Sequence, residues 1–402
     1  MTEGTTFDPW IPFQRERADA DLAAIRDLQS SCPVSQQPDG KWLVTTADGV
    51  RSVFERIEDF GGTFGDYTNV DPDDIILPGI PEPLHAVVRR GVNASVAYHR
   101  SVTVEPFLRE LVANLLRNAF ATQDTDGSVD IYQAVLLPVP AAVIAHLVGV
   151  PAEHTALFTR WGDELCERQL EGENFNRPVG DLHPEFASYL DEHIANRKAE
   201  GAVGDDSISR MMRQSTQDGT PMSDRMIRTQ LMNLLVAGNE TTRNLLGSMF
   251  WLLSNDAALL AQLRDDRSLI ETFVEETLRL EPPVRFIVRR CSRPAVVDGT
   301  EVHPGDTVLI SIEGANRDER AVDAADTLDL VRPHARDHLA FGAGPHICPG
   351  AFLARLEARV VLETFLDRVS AMTMAEGAEY VPHPIYWARG PVSLRVTLDR
   401  AR

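Results

Sequence analysis

The sequence is poor in cysteine. Four occur in 402 residues, Cys32, Cys166, Cys291 and Cys348, and no two stand in a CxxC or zinc-type spacing. An exported disulfide scaffold is therefore not expected, and free thiols in a reducing cytoplasm are. Basic residues are also scarce: 39 Lys and Arg against 60 Asp and Glu leave a net charge of −21. That balance argues against a general nucleic-acid or anionic-membrane partner. Long apolar runs are missing too. The longest, "YQAVLLPVPAAVIAHLVGVP", is broken by Pro138, Pro140 and His146 and reads as a buried helix, not a membrane span. The opening "MTEGTTFDPWIPFQ" has no basic region followed by an apolar one, so nothing marks export. Internal repeats and low-complexity blocks are absent.

What is present is helical periodicity. Residues 18–30, 47–56, 82–97, 103–121, 132–149, 153–170, 184–199, 224–254, 256–264, 267–281 and 351–368 read as helices. Strand-like segments cluster in two places. One is a hairpin around "KWLVTT" after the Asp39-Gly40 turn. The other runs from Val284 to about Ile312 across the Asp298-Gly299 turn, with the C-terminal "PVSLRVTL" expected nearby. The loop from Gly61 to Pro83 has a length that usually signals function or disorder. No linker stands out. The expectation is one mainly α domain over residues 1–402 with a small β region.

The longest helix, from Ser223 or Asp224 onward, spans about 30 residues, roughly 45 Å. Its middle and end are apolar nearly all round, which places it through the centre of the molecule. "AGNETT" interrupts it with poor helix formers. Two readings are open: a bulge of the kind found at functional sites, or a glycine packing contact.

Cys348 lies in "HLAFGAGPHICPG", a glycine-rich loop before a helix. Gly342, Gly344 and Gly350 let backbone amides approach a sulfur. The following helix N-terminus favours negative charge, and Pro349 suits a first helical turn. Chemistry alone leaves a heme or metal ligand, a nucleophile or a buried bystander.

"FGAGPHICPG" resembles, residue by residue, the cysteine-ligand loop of the cytochrome P-450 family, F-x-x-G-x-[HR]-x-C-x-G. Phe341, Gly344, His346, Cys348 and Gly350 fill its fixed positions, and "LAR" continues the match. The resemblance implies the cytochrome P-450 fold, with a long buried helix over a heme b whose iron takes Cys348 as its axial ligand. Such a thiolate favours O–O cleavage. "EETLR" resembles the family's E-x-x-R. It implies a structural trio of Glu276, Arg279 and Arg332, although Leu328 stands where an aromatic is usual. Without the resemblance, Glu276 and Arg279 read as a surface i,i+3 salt bridge. "AGNETT" resembles [AG]-G-x-[DE]-T-[TS]. It implies Thr241 as a hydrogen-bond donor to bound oxygen and Glu240 as a proton relay. "LHAVVRR" resembles H-x-x-x-R, giving His85 and Arg89 as propionate partners. Arg289 (with Arg290 second) and His346 join them.

The resemblance runs from about His85 to "RGPVSLRV" and is closest to bacterial members. It implies electrons from NAD(P)H through a ferredoxin reductase and a ferredoxin docked near Cys348, where Arg100, Arg109, Arg355 and Arg359 could form a basic patch. A cytoplasmic monomer is expected. The substrate pocket is expected from the 61–80 loop, the 160–185 region, the central helix and two strand turns. Its residues would be Ile76, Leu77, Asn233, Val236, Ala237, Arg285, Ile287 and Trp387, mostly apolar as a lipophilic guest requires. Asn233 and Arg285 could orient a polar group, unless strand alternation turns Arg285 outward. The leading reading is a monooxygenase that hydroxylates a lipophilic small molecule. Oxidative coupling or desaturation on the same heme is the alternative. A heme sensor without turnover fits less well with an intact Glu240 and Thr241. A cysteine hydrolase would have to use His346, only two residues from Cys348.

Overall fold

The computed structural model describes residues 7–61, 67, 69–170, 174, 177–215, 219 and 221–401. Helices occupy the periodic spans, among them Ala18–Ser31, Ala47–Glu55, Leu84–Val96, Glu105–Ala121, Thr155–Leu170, Pro184–Ala199, Ile270–Leu280 and Ala351–Leu366. The apolar run is two pieces, a π-helical turn over Tyr132–Leu136 and a helix over Pro138–Val148, which Gly149 ends at φ 84°. Tyr98–Val102, Val179–Leu182, Ser207–Met212 and Ile312–Ala315 are short helices that periodicity did not show. None is long enough to display a repeat. No helix among the described residues is long and apolar enough to cross a membrane.

The main sheet has five strands in the order Val34–Gln36, Trp42–Val44, Thr307–Ser311, Phe286–Cys291 and Phe60–Gly61. Trp42–Val44 and Thr307–Ser311 run parallel and the other neighbours antiparallel. Asp298 and Gly299, both at positive φ (45° and 80°), close the separate hairpin of Ala295–Val297 and Thr300–Val302. The C-terminal strands are not part of this region, contrary to expectation. Arg395–Arg400 pairs with Val369–Met374 and Ser128–Asp130, and Pro391–Ser393 pairs with Val381–Pro382. A bridge between Val284 and Ala388 is the backbone pairing recorded between the two regions among the described residues.

The central helix, Asp224–Asn255, is capped by Ser223, whose Oγ accepts the Met226 N–H at 2.9 Å. It is α-helical throughout, with no bulge at "AGNETT". The glycine explains that interruption, because a Cβ on Gly238 would sit 3.0 Å from Cδ1 of Ile144 on the Pro138–Val148 helix. The two helices pack through that gap.

Two buried ionic networks tie distant segments together. Glu276, fully buried, takes Arg279 at 2.7 Å and Arg332 at 2.9 Å, and accepts the Asp329 N–H at 3.0 Å. Arg279 also donates to the carbonyls of Asn316 (3.2 Å), Ala325 and Thr327 (3.0 Å). A surface salt bridge is thereby excluded for Glu276 and Arg279. In the second network Glu281 takes Arg15 (2.8 Å) and Arg389 (2.6 Å), and Glu313 takes Arg389 (3.2 Å) and Arg285 (2.9 Å). Removing one member of such a set leaves its partner charged and buried. Glu313→Ala, which strands Arg285 and leaves Arg389 only Glu281, should therefore lower stability by about 3–5 kcal/mol. Chemical denaturation measures it, and a loss below about 1 kcal/mol, typical of an exposed pair, would mean that water screens these charges.

Candidate active site

A cavity of about 320 Å³ lies between the central helix and the cysteine loop. A wider cleft of about 1200 Å³ separates Trp251 and Asn255 from the segment around Val331. It holds no cysteine and none of the expected oxygen-side residues. The smaller cavity brings together Phe341, Gly350, Cys348, His85, Arg89, Arg289, His346, Ile76, Leu77, Asn233, Ala237, Thr241 and Ile287.

The cysteine side is shaped by backbone constraints. Gly342 and Gly344 adopt φ of 74° and 67°, and a Cβ on Gly344 would meet Cα of Glu55 at 2.9 Å and the Phe54 carbonyl oxygen at 3.0 Å. The loop is thus pressed against the end of the Ala47–Glu55 helix. The Cys348 N–H donates to the Phe341 carbonyl at 2.9 Å. Gly350 caps the Ala351–Leu366 helix, so Pro349 precedes the first turn instead of forming it. Cys348 is half-buried and lines the cavity. Burial pushes its thiol up, while the amides of Gly350 and Ala351 and the charges of Arg89 and Arg355 pull it down.

One end of the cavity is cationic. Arg289 is 4% exposed, and its one hydrogen bond is to the neighbouring Val288 carbonyl at 3.3 Å. Burial lowers its guanidinium to about 10. Arg89 donates to the Ile347 carbonyl. His85 stacks on His346 at 4.2 Å, with Glu82 2.8 Å from its Nδ1. Burial, then His85, Arg289 and Arg89, depress His346 to about 4. Arg290 is exposed. A buried guanidinium without a carboxylate among the described residues is costly. A cavity bounded by a sulfur on one face and such cations at one end fits a flat tetrapyrrole bearing two carboxylates.

The Cytochrome P450 family model matches residues 172–382. The chain belongs to the cytochrome P450 family. It is 30% identical to the cytochrome P450 monooxygenase PikC of Streptomyces venezuelae over 402 residues, 98% of this chain and 92% of that protein. It is 32% identical to the vitamin D(3) 25-hydroxylase of Pseudonocardia autotrophica over 361 residues, 86% and 85% of the two chains. The structure of CYP109E1 from Bacillus megaterium in complex with testosterone matches at a TM-score of 0.82 and 26% identity, over 94% of this chain and 98% of that one. The protein is thus a P450 monooxygenase with the P450 fold. Its cofactor is a thiolate-ligated heme, and it uses O2 and electrons from reduced pyridine nucleotide through redox partners.

On the central-helix side, Thr241 lines the cavity and its hydroxyl donates to the Ala237 carbonyl at 2.7 Å. Glu240 does not line the cavity. It is 3% exposed, and Oε2 accepts from the Cys166 thiol at 2.6 Å. Beside it Arg243 donates to Asp163 at 2.5 Å. Sequence reasoning missed Cys166 and Asp163, which come from the Thr155–Leu170 helix and carry no local signal. Arg243, one turn after Glu240, was within reach of a spacing argument.

Three of the expected pocket residues lie elsewhere. Arg285 precedes the strand Phe286–Cys291 and escapes its alternation. Its guanidinium is claimed by Glu313 and the carbonyls of Ile11 and Tyr386, and Val284 lines the cavity instead. Val236 packs partly buried against the main core. Trp387 is half-buried away from the cavity, and its carbonyl accepts the Arg285 N–H at 2.7 Å. Residues 62–66, 68, 171–173 and 175–176 of the two expected pocket segments lie outside the described residues. Gln230, unanticipated, faces the cavity and spans the Ile75 carbonyl and the Leu77 N–H at 2.9 Å each. The four arginines proposed for docking are all engaged. Arg109 and Arg359 bridge Glu105 and Glu363, Arg355 pairs with Glu275, and Arg100 lies 3.7 Å from Asp205. They do not make a free basic patch.

Arg289→Leu separates the two roles of a buried cation. Heme should dissociate faster, because an anion partner is lost. The heme-free chain should be no less stable, because an unpaired buried charge is removed. Heme transfer to an acceptor protein and denaturation of the heme-free chain read the two effects, and slower heme loss would contradict the assignment.

Proposed function

We propose that Cys348 supplies the thiolate and that Arg89, Arg289, His85 and His346 hold the carboxylates of the heme. The observation that carries this reading is the buried, carboxylate-free guanidinium of Arg289 in the same cavity as the Cys348 sulfur. When bound, the heme supplies reductive O2 activation and insertion of one oxygen atom into the substrate. The chain's own part is to exclude water, hold the substrate and deliver protons. Thr241 presents a hydroxyl to the oxygen-binding face, and Glu240 behind it passes protons inward.

The substrate is an uncharged lipophilic molecule. Around Thr241 the cavity is walled by Ile76, Leu77, Pro78, Leu234, Val284 and Ile287. Arg285 is committed to Glu313, and the remaining cations sit at the carboxylate end. The expected pocket residues outside the described set contain no Lys or Arg in sequence. A substrate carboxylate would find no cation there. Asn233, half-buried on the cavity wall, lies two helical turns before Thr241, about 12 Å along the axis. It is positioned to hydrogen-bond a carbonyl or hydroxyl at the far end of the guest. A vitamin D(3) hydroxylase and a testosterone-bound P450 among the similar proteins are in keeping with that class. Electrons come from a ferredoxin and its reductase, docked over the cysteine loop. With the arginines paired, the exposed Ile347 and Tyr98 make its contact surface largely apolar.

The reduced protein should give the red-shifted carbon-monoxide difference band of a thiolate ligand, and Cys348→Ser should abolish it. An unchanged band in that variant overturns the ligand assignment. Asn233→Leu should weaken a guest bearing a terminal hydroxyl about tenfold, the scale of one hydrogen bond, and leave its deoxy analogue unaffected. A spin-state titration reads both, and equal loss for the two analogues removes Asn233 from recognition.

A further inference from the structure

The carboxyl group of Glu240 is gripped from two segments far apart in sequence. Cys166 donates to Oε2 at 2.6 Å. The other oxygen, Oε1, is buried without an aligned hydrogen bond, and Nε2 of His383 lies 3.2 Å from it. His383 is 6% exposed and sits on the C-terminal turn after Val381–Pro382. Its Nδ1 accepts the Ile385 N–H at 3.4 Å, which places the ring proton of the neutral tautomer on Nε2, facing Glu240. The remaining charged or titratable groups facing the pair are Arg243, Asp163 and Tyr132. Arg243 is occupied by Asp163 at 2.5 Å.

We propose that His383 reloads Glu240 with protons, so that protons for oxygen activation enter from the C-terminal turn. The inference rests on the reading of Glu240 as a relay. The two oxygens of the carboxylate are then treated differently. Cys166 is a fixed donor, because burial and Glu240 itself push its thiol up and keep it protonated. His383 is the exchangeable one. Burial pulls its imidazole down against the opposing charge of Glu240, so the ring is neutral at pH 7. Each proton that Glu240 passes toward Thr241 is replaced at Oε1 from Nε2, while Nδ1, released from the Ile385 N–H, takes one from water. The ring returns through solvent to the Nε2–H tautomer before the next transfer. Two such transfers per O2, with two electrons from the redox partner, balance insertion of one oxygen atom and release of the other as water. A contact that is near but unaligned at rest is common for proton donors that tighten only in turnover.

His383→Gln keeps a donor where Nε2 stood but cannot exchange protons, and His383→Phe removes both properties. Reloading predicts that both variants divert electrons to hydrogen peroxide severalfold more than the parent, with a changed solvent isotope effect. A merely structural contact predicts that the Gln variant couples normally, and that result overturns the proposal. The infrared S–H band of Cys166 in the resting ferric enzyme, assigned by its loss in Cys166→Ala, reports the cluster without turnover. It should stay put in His383→Gln and shift in Glu240→Gln, and a shift in His383→Gln would make the effect positional. If Glu240→Gln uncouples while both His383 variants stay coupled, only the reloading role falls. If Glu240→Gln stays coupled, the relay reading beneath it falls as well.

Discussion

Everything in this protein is arranged around a helix that cannot touch water along most of its length. Asp224–Asn255 is buried on several faces, and many of its polar side chains find a protein partner or border a cavity. Thr229, Asn244 and Ser248 are instead buried without a side-chain hydrogen bond among the described residues. Gln230 spans two backbone groups of the 75–77 segment, Arg243 takes Asp163, and Glu240 takes the Cys166 thiol. Asn233 and Thr241 are left to line the cavity. The reactive face and the supporting face of the helix follow from that division. Gly238 lets the helix approach Ile144 closely, since a Cβ there would sit 3.0 Å from its Cδ1.

Buried charge separates support from function. Glu276, Glu281 and Glu313 each collect more than one guanidinium, and together they pin the N-terminal segment, the Ile270–Leu280 helix, the sheet and the C-terminal turn to one another. These arginines are satisfied within the chain. Arg289 is as deeply buried, has no such partner among the described residues and lines the cavity. Burial is the same and the presence of a counter-charge differs. That contrast marks a ligand anion more clearly than any one distance could.

Much of this was legible in the sequence where the signal is local. Long amphipathic stretches gave their helices because a 3.6-residue repeat needs no tertiary information. The cysteine loop was legible because backbone geometry demands glycine at Gly344, against Glu55 and Phe54. What escaped depends on distant pairing. The C-terminal strands, expected near the Val284–Ile312 region, pair with other strands because strand pattern carries no partner identity. The family resemblance places Arg285 in the pocket, and the carboxylate of Glu313, 28 residues away, takes it instead. Val236 precedes the cavity residue Ala237 on the central helix, yet the 100° turn between neighbours carries it off the cavity to pack against the core. Cys166 and His383 were invisible for the same reason, since nothing near either one in the chain refers to Glu240.

The choice of cation explains how so acidic a chain buries so much positive charge. Lys41 and Lys198 are the only lysines among 39 basic residues. An ammonium offers a compact, strongly hydrated charge that is hard to bury, whereas a planar guanidinium spreads its charge over five donors. Arg279 uses them on one carboxylate and three carbonyls at once, and Arg285 on one carboxylate and two carbonyls. Loops without regular structure leave unpaired carbonyls that would otherwise need water. Arginine closes those gaps around the Ile270–Leu280 helix and the C-terminal turn. The same turn carries His383, so the segment that arginine fastens is also the one that brings a single exchangeable group within reach of Glu240.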